Sequence, residues 1–420
     1  MKSFFGFFRI WSALLLGVVA MTVVSCKKDS GGAPTSDPNA GFTAREGLYG
    51  VMEGNFYSSE NGALLYLGKG VTSLPTLVDA YAVANPGHEV GGVLEDIFFA
   101  GDKLYLLTQK GDQLGGDGQL VVADAATFKA ITVYKDLGLG ADNNPEHLVV
   151  VGDKAFIQYA VTDMETQSGI RVFDLSTGTS AAADIAGTFG DFTVDGATKC
   201  RMLLSRGMIY SPCGQKLNII DPASAAVVKT VDFTGRQVKD IVKGNAGDLY
   251  AVVSGTYDLA SGDYGSYVSD YTSPASMVHL DHGGHILGEQ AMPSDWIVSA
   301  DSWSPNVGMC ASLNSGKIFF FGANSSSTVY CYNTDTKQFA SPIDLTALGV
   351  ELTTGGYMCV DPVSNTLVVP VSDYTPTTTF ALLDASTFAL KAYDATAAAP
   401  VSYCAGVDCS YRFLPSYISK

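Results

Sequence analysis

Basic residues are scarce in this sequence. Its 420 residues include 25 Lys and Arg against 42 Asp and Glu, which gives a net charge of −17 at pH 7. Because nucleic-acid binding depends on neutralising phosphates with Lys and Arg, this balance argues against a nucleic-acid-binding protein. Charged residues amount to only 16%, whereas Gly contributes 45 residues and aromatic residues 11%. Disordered chains are poor in aromatic residues, so this composition favours a globular all-β protein with many turns.

Catalytic motifs are also lacking. The sequence has five histidines and contains no G-x-S-x-G elbow, phosphate-binding loop or H-E-x-x-H segment. The segment "HLDHGGH", which starts at His279, holds three of the histidines but falls in a predicted tight turn. The segment "DQLGGDG" lacks the ligand spacing of an EF-hand. We therefore predict no catalytic residue set, no metal site and no cofactor.

No pair of cysteines has the C-x-x-C spacing of a zinc site. In "CRMLLSRGMIYSPC", a hairpin that turns at Arg206-Gly207 places Cys200 opposite Cys213 on a non-hydrogen-bonded pair, and we predict a disulfide there. Cys404 and Cys409 are a second candidate pair, which would close a small loop. The remaining cysteines are expected to be buried small apolar residues, and the full pairing stays open: Cys310, Cys331 and Cys359.

The N-terminus has the layout of a secretory signal. Residues 1–25 carry Lys2 and Arg9, then the apolar run "IWSALLLGVVAMTVV", which is shorter than a typical membrane span. "VVSC" resembles a bacterial lipobox, which implies cleavage before Cys26 and lipidation of that residue, for example by palmitate. Residues 26–44 are polar and rich in Gly, Pro and Ser, as expected of a flexible tether. A plain signal peptide or a buried N-terminal helix are the alternatives.

A repeated pair of hairpins extends over the rest of the chain. "EDIFFAGDKLYLLTQ" from Glu95 and "EHLVVVGDKAFIQYA" from Glu146 are two of six similar hairpins. The other four begin at Cys200, Lys239, Met309 and Met358. Each is followed by a second hairpin whose turn contains Asp or small residues, where an Asp side chain can bond the turn backbone. Four antiparallel strands per unit are typical of a propeller blade.

The chain ends predict how this array closes. The segment after residue 45, "LYGVMEGNFYSSENGALLYLGKG", supplies two strands, and "LVDAYAV" at 77–83 is expected to add an outer one. The missing first strand is expected from the tail "APVSYCAGVDCSYRFLPSYI". Closure hides the strand edges that an open array would expose. We therefore predict an all-β, seven-bladed β-propeller at residues 45–420, closed by its N- and C-terminal strands; eight blades are the alternative.

Loop lengths distinguish the two faces of the predicted ring. First-to-second and third-to-fourth turns are short, whereas second-to-third loops and blade-to-blade connections are long. Long loops on a rigid scaffold are where binding usually occurs. Tyr and Trp there offer rigid contact area for a bulky ligand, although each could instead pack within the ring. The predicted ligand-binding residues are Phe56, Tyr57, Tyr159, Tyr257, Tyr264, Tyr267, Tyr271, Trp296, Trp303 and Tyr374.

Several segments resemble the YncE-like seven-bladed propeller lipoproteins of Bacteroidota. They are "LYGVMEGNFYSSENGALLYL", "ANPGHEVGGVLEDIFFAGDKLYLLTQ" and "NPEHLVVVGDKAFIQYA". "CKKDS" also looks like the short signals that direct Bacteroidota lipoproteins to the cell surface. The group includes proteins that capture cobalamin for TonB-dependent transporters. The resemblance implies a lipid-anchored outer-membrane protein that binds a bulky ligand, with a cobalamin-like one favoured over a siderophore-like one or a glycan, and passes it to such a transporter.

Two other function classes stay open. The protein could be an adhesion or scaffold propeller, in which case the aromatic residues would be buried in the ring. It could also be a propeller lyase or hydrolase, which would need convergent titratable groups on the long-loop side. Candidates for that role are Asp258, Asp263, Asp270, Asp301 and Glu165.

Overall fold

Short apolar runs separated by Gly, Asp and Asn turns form seven antiparallel sheets in the part of the chain that the structure describes. The structure is a computed structural model. It describes residues 43–412 apart from 57, 59, 141, 162–166, 192–198, 257–272, 297, 299–305, 323–325 and 374–376. The contacts divide the chain into Met1–Thr35, outside the described residues, and Ser36–Lys420, which contains every element below.

The strands are numbered in chain order and grouped by blade. Blade 1 begins with β1 (Gly47–Met52) and β2 (Ala63–Gly68), followed by helix α1 (Ala80–Ala84). Blade 2 has β3 (Gly92–Ala100), β4 (Lys103–Gly111), β5 (Leu120–Asp124) and β6 (Ala130–Tyr134), with a 3₁₀ turn at Asp112–Leu114. Blade 3 has β7 (Asn143–Val151), β8 (Lys154–Val161), β9 (Gln167–Asp174), β10 (Thr179–Ser180) and β11 (Gly190–Asp191). Blade 4 has β12 (Leu203–Ser205), β13 (Met208–Cys213), β14 (Lys216–Asp221) and β15 (Ala226–Asp232).

The second half of the ring follows the same plan. Blade 5 has β16 (Val238–Lys243), β17 (Leu249–Val253), β18 (Ser276–Leu280) and β19 (Ile286–Ala291). Blade 6 has β20 (Cys310–Ala311), β21 (Lys317–Phe321), β22 (Thr328–Asn333), β23 (Gln338–Phe339) and β24 (Ile343–Asp344). Blade 7 has β25 (Thr353–Thr354), β26 (Cys359–Asp361), β27 (Thr366–Ser372), β28 (Thr378–Asp384) and β29 (Leu390–Ala392). The last strand, β30 (Cys404–Ser410), returns to blade 1.

The chain ends close the ring. Strand β30 pairs antiparallel with β1, with Gly47 opposite Ser410 and Gly50 opposite Val407. The described part of this sheet has the order β2-β1-β30. The prediction of a seven-bladed propeller closed by its terminal strands is confirmed. Apolar cores then fill the spaces between blades; one of them joins Leu107 of β4, Phe156 of β8 and Ile209 of β13.

One predicted strand is wrong. The segment "LVDAYAV" was expected to be the outer strand of blade 1, but the structure has helix α1 there. Asp79 is its N-cap: the carboxylate accepts hydrogen bonds from the amides of Tyr81 at 2.9 Å and Ala82 at 3.1 Å. The buried Tyr81 ring anchors the helix, and its hydroxyl donates to Asp117. A capping Asp before Ala-rich sequence stabilises a helical turn more than a strand.

The predicted disulfide between Cys200 and Cys213 is not formed, and both side chains are buried. The hairpin register itself is as predicted, with Ser205 opposite Met208. Strand β12 begins only at Leu203, however, so Cys200 lies before it. The Cys200 thiol donates a hydrogen bond to the Lys239 carbonyl of the next blade, at 3.0 Å.

Cys404 and Cys409 are also free. They lie near the two ends of the extended strand β30, where five residues of β-strand span about 16 Å. A disulfide needs Cα atoms within about 7 Å. This geometry excludes the proposed small loop.

The first strands of the blades lie innermost and contact one another around the axis. These inner strands are β3, β7, β12, β16, β20, β26 and β30. They all begin on the face that carries the second-to-third-strand loops and the blade-to-blade connections. We call this the long-loop face; the opposite, short-turn face carries the tight turns, such as Ala100-Gly101-Asp102-Lys103 between β3 and β4.

Deleting residues 404–420 should open the ring, because β1 would lose its inner partner β30 and expose a strand edge. We expect the truncated protein to lose its cooperative thermal transition and to aggregate. Circular dichroism melting and size-exclusion chromatography check this. Deletion of 413–420 alone keeps β30 and serves as the matched control. A 404–420 deletion that melts within a few degrees of that control would contradict the closure argument.

Candidate functional site

Each inner strand, or the segment just before it, places one side chain at the propeller axis. Most of these side chains are polar or contain sulfur. In the repeated hairpins this is the second residue of the quoted segments, for example Asp96 in "EDIFF" and His147 in "EHLVV". All of these side chains are buried. We call them the axial ring: Asp96, His147, Arg201, Asp240, Cys310, Cys359 and Asp408.

Arg201 crosses the axis from blade 4. Its guanidinium donates two hydrogen bonds to the Asp408 carboxylate of blade 1, at 2.9 and 3.1 Å. Its Nε lies 3.9 Å from Asp96 Oδ1 of blade 2, and its Cζ lies 4.1 Å from the centre of the Tyr357 ring. Burial alone would lower the pKa of Arg201, but Asp408 and Asp96 raise it. We call Arg201, Asp408, Asp96 and Tyr357 the Arg201 cluster. One cavity lies on the long-loop side of this cluster, and a smaller cavity lies on its other side.

Two carboxylates of the axial ring join neighbouring blades through backbone amides. Asp96 accepts hydrogen bonds from Ile97 N at 3.0 Å and from Leu148 N of the next blade at 2.9 Å. Asp240 accepts from Ile241 N at 3.2 Å and from Met309 N of the next blade at 3.1 Å. Both carboxylates are therefore satisfied, as buried polar groups usually are.

The cavity above the Arg201 cluster has a volume of about 110 Å³. It lies where the inner strands begin: Glu95 and Glu146 are near the starts of β3 and β7, and Lys199 precedes β12. It therefore opens towards the long-loop face. Its lining residues are Glu53, Glu95, Glu146, His147, Lys199, Asn306, Gly356, Tyr357, Cys404 and Ala405.

Three carboxylates and one lysine dominate this cavity, which we call the carboxylate pocket. Glu146 Oε1 lies 3.1 Å from Lys199 Nζ and accepts a hydrogen bond from Gln109 Nε2 at 3.0 Å. Gln109 Nε2 also donates to Glu95 Oε1 at 2.6 Å. Glu146 Oε2 has no hydrogen-bond partner among the described residues, although Glu146 is only 1% exposed. Leaving a buried polar atom unpaired costs about 1–3 kcal/mol, and more for a charged group.

Burial, together with repulsion between the glutamates, raises the pKa values of the carboxyl groups in this pocket. Burial, together with the charge of Glu95, raises the pKa of Glu53 to about 8. Burial also raises the pKa of Glu95, and raises that of Glu146 well above its usual range despite the nearby Lys199. For Lys199, burial would lower the pKa, but the three glutamates raise it. At neutral pH these raised pKa values keep protons on the carboxyl groups, and a cation that enters the pocket favours the charged form of these groups.

The cavity beyond the Arg201 cluster is smaller, about 30 Å³. Met309 and Met358 line it together with the thiols of Cys310, Cys359 and Cys409. A hydrogen bond with Cys409, followed by burial, raises the pKa of the Cys359 thiol. No group of three or more His, Cys, Asp or Glu side chains in the described ranges is arranged to hold a metal ion.

The structure describes three of the predicted ligand-binding residues. Phe56 lies at the long-loop face, with Lys110 Nζ 3.8 Å from the centre of its ring. Tyr159 is in the core, only 3% exposed, and its hydroxyl donates to Asp184 at 2.6 Å, so it offers no surface to a ligand. Trp296 stacks on Tyr330 with ring centres 4.2 Å apart, as the packing alternative expected.

The other predicted site residues lie outside the described residues. They are Tyr57, Tyr257, Tyr264, Tyr267, Tyr271, Trp303, Tyr374 and the lipidation residue Cys26. The residues considered for an enzyme also lie outside the described residues; they are Asp258, Asp263, Asp270, Asp301 and Glu165. Within the described part of the chain, no helix is long and apolar enough to cross a membrane.

The carboxylate pocket was not predicted from the sequence, because ligand contacts were expected in the long loops. A usable signal was present at the start of the repeat. Glu95-Asp96, Glu146-His147 and Lys239-Asp240 place charged or polar pairs at the beginning of otherwise apolar inner strands. A polar residue recurring at one register position of buried strands indicates an axial cluster.

These features define a seven-bladed β-propeller whose axis is blocked by a buried arginine beneath an acidic pocket. The chain belongs to the family described as "Domain of unknown function (DUF5074)", whose model matches residues 46–416. No curated protein matches the chain.

Two solved structures resemble it at low identity. Dihydro-heme d1 dehydrogenase NirN in complex with DHE is 11% identical with a TM-score of 0.43, over 78% of this chain and 60% of that one. Kuenenia stuttgartiensis hydrazine synthase is 14% identical with a TM-score of 0.46, over 78% of this chain and 96% of that one. The chain thus spans less than two thirds of the NirN chain, and both likenesses concern fold alone.

Replacing Arg201 with Met should destabilise the protein by about 3–5 kcal/mol, because Asp408 and Asp96 would keep buried charges without their partner. Guanidinium denaturation measures the loss. Arg206→Met, in an exposed turn, is the matched control. Adding Asp408→Asn to Arg201→Met should recover part of the stability; a double variant no more stable than the single one would count against the ion pair.

Stability should fall as the pH rises from about 4 to 7. Burial raises the pKa of Asp240 from 3.8 to about 7, with the Met309 amide and Arg201 acting in the opposite direction. The folded state therefore holds a proton that the unfolded state has released, and raising the pH removes this advantage. Thermal melting between pH 4 and 7.5 measures the slope, which Asp240→Asn should flatten. An unchanged slope in that variant, with the exposed Asp335→Asn as control, would refute the assignment.

Proposed function

We propose that this chain is a lipid-anchored outer-membrane binding protein. It faces the cell exterior, captures a bulky organic nutrient and passes it to a TonB-dependent transporter. The observation that carries the proposal is the carboxylate pocket, which opens towards the long-loop face and ends at the Arg201 cluster. A closed-ended polar cavity surrounded by long loops suits recognition of a ligand better than passage through the ring.

The size of the pocket supports contact with only part of such a ligand. Pockets that enclose a drug-sized molecule measure about 300–1,000 Å³, whereas this one measures about 110 Å³. A cobalamin-like, siderophore-like or glycan ligand would therefore insert one group and rest on the long-loop face. Phe56 and Lys110 offer an aromatic ring and a cation on that face.

The N-terminal sequence supports the location. "VVSC" resembles a lipobox, and residues 26–44 provide a polar tether between a lipidated Cys26 and the propeller. The family resemblance of the hairpins supports the transporter partner.

An acid–base enzyme is the second candidate, and one observation favours it. Glu53, with a pKa of about 8, lies close enough to Glu95 for their charges to interact, and Lys199 neutralises part of the pocket. A raised carboxyl pKa is one way in which an enzyme obtains a general acid near neutral pH. Turnover of a bound ligand, abolished by Glu53→Gln, would select this function over capture alone.

A panel of cobalamins, haem, siderophores and glycans tests the binding role. We expect at least one compound to raise the melting temperature. Lys110→Gln should weaken its affinity several-fold or more, as measured by calorimetry, because Lys110 lies on the proposed contact face. Lys337→Gln, in a turn on the short-turn face, is the matched control and should bind normally. Equal affinity of both variants for the ligand would show that the ligand does not bind at the long-loop face.

A further inference from the structure

The charges in the carboxylate pocket are unbalanced. Glu53, Glu95 and Glu146 face one lysine, Lys199, whose side chain pairs with Glu146 Oε1 at 3.1 Å. His147, the other titratable side chain with a basic nitrogen in the lining, directs Nε2 to the Lys199 carbonyl at 3.1 Å, and its Nδ1 lies 3.5 Å from Asp96. Among the described residues, the lining of the pocket thus holds more carboxyl groups than basic groups.

One oxygen atom of this lining lacks a donor among the described residues. Glu146 Oε2 is buried, belongs to a residue that is 1% exposed, and has no hydrogen-bond partner in the described part of the chain. The same fold satisfies Asp96 and Asp240 with two backbone amides each. The difference is that Glu146 lines an open cavity, where a ligand can supply the donor.

The volume and the chemistry of the pocket identify the kind of donor. A single water needs about 10–15 Å³ of such space, so about 110 Å³ admits a group of several heavy atoms. The pocket side chains are not arranged to hold a metal ion, since no such group occurs among the described residues. Ammonium offers three N–H donors and guanidinium five, and both also offset negative charge, which a hydroxyl does not.

We propose that the carboxylate pocket binds an ammonium or guanidinium group of the captured ligand, with Glu146 Oε2 accepting a hydrogen bond from it. This assignment rests on the proposed binding function and names the chemical class that the pocket selects. Glu53 and Glu95 line the same cavity and offer further carboxyl oxygens that can accept hydrogen bonds from the group. The Tyr357 ring lines the same cavity and covers the Arg201 guanidinium, whose positive charge keeps the cation at the level of the glutamates.

Calorimetric titration of the full-length protein in detergent tests the assignment with small probes. Putrescine and methylguanidine should bind, whereas 1,4-butanediol, which matches putrescine in length but carries no charge, should not. Glu146→Gln should weaken putrescine binding at least tenfold. Asp335→Asn removes an exposed carboxylate on the short-turn face and should leave binding unchanged.

Thermal melting of the same variants separates a binding role from a structural one. If Glu146 serves binding, Glu146→Gln should melt within a few degrees of the wild type, because the amide oxygen of Gln can still accept the hydrogen bonds of Lys199 and Gln109. A large drop in melting temperature, with putrescine affinity retained, would make Glu146 structural and overturn the proposal. Equal binding of butanediol, or binding of calcium chloride in place of the amines, would overturn it as well.

Failure of the cation assignment can be distinguished from failure of the binding function, which the nutrient panel tests. If the amines fail to bind while a nutrient still binds in a manner sensitive to Lys110→Gln, the binding protein stands and the cation assignment falls. If neither the amines nor the nutrients bind, the capture function itself is contradicted.

Discussion

The buried ion pair between Arg201 and Asp408 is the constraint on which the centre of the propeller depends. Asp408 lies on β30, the strand that closes the ring, and Arg201 lies at the start of blade 4. The pair therefore forms only after closure, and the closed ring in turn buries a charge that needs this partner. Through Asp96 and Tyr357, the same guanidinium contacts two further blades and blocks the axis. Folding of the ring and formation of a closed-ended pocket are thus one event.

The carboxylates near the axis have two distinct environments. Asp96 and Asp240 accept hydrogen bonds from amides of the next blade, and these bonds stabilise the packing of neighbouring blades. Glu146 is one layer closer to the long-loop face and keeps an oxygen without a partner. A natural protein tolerates such a cost where a ligand removes it, so stability and binding are expected to oppose each other at this residue.

Much of the fold could be predicted from the sequence, because the hairpins repeat and each turn residue has a local cause. Asp124, for example, accepts amides of Ala126 and Thr127 in its turn, as its position in the repeat indicated. The wrong predictions concern segments whose local sequence is compatible with two different structures. Asp79 caps a helix although Leu77, Val78 and Val83 also suit a strand. Cys200 lies in the register of a hairpin, but the strand begins three residues later and the thiol turns to blade 5.

The site was harder to predict, because the pocket is built from residues far apart in sequence that meet only at the axis. Glu53 follows β1, Glu146 belongs to β7 and Tyr357 precedes β26. Their order along the axis nevertheless has a simple electrostatic consequence. Carboxyl groups at the mouth disfavour anionic groups, and the positive Arg201 below Tyr357 repels cations that would pass further. In the proposed binding mode, a cation is therefore held between these two layers, while the rest of the molecule that carries it stays on the long-loop face.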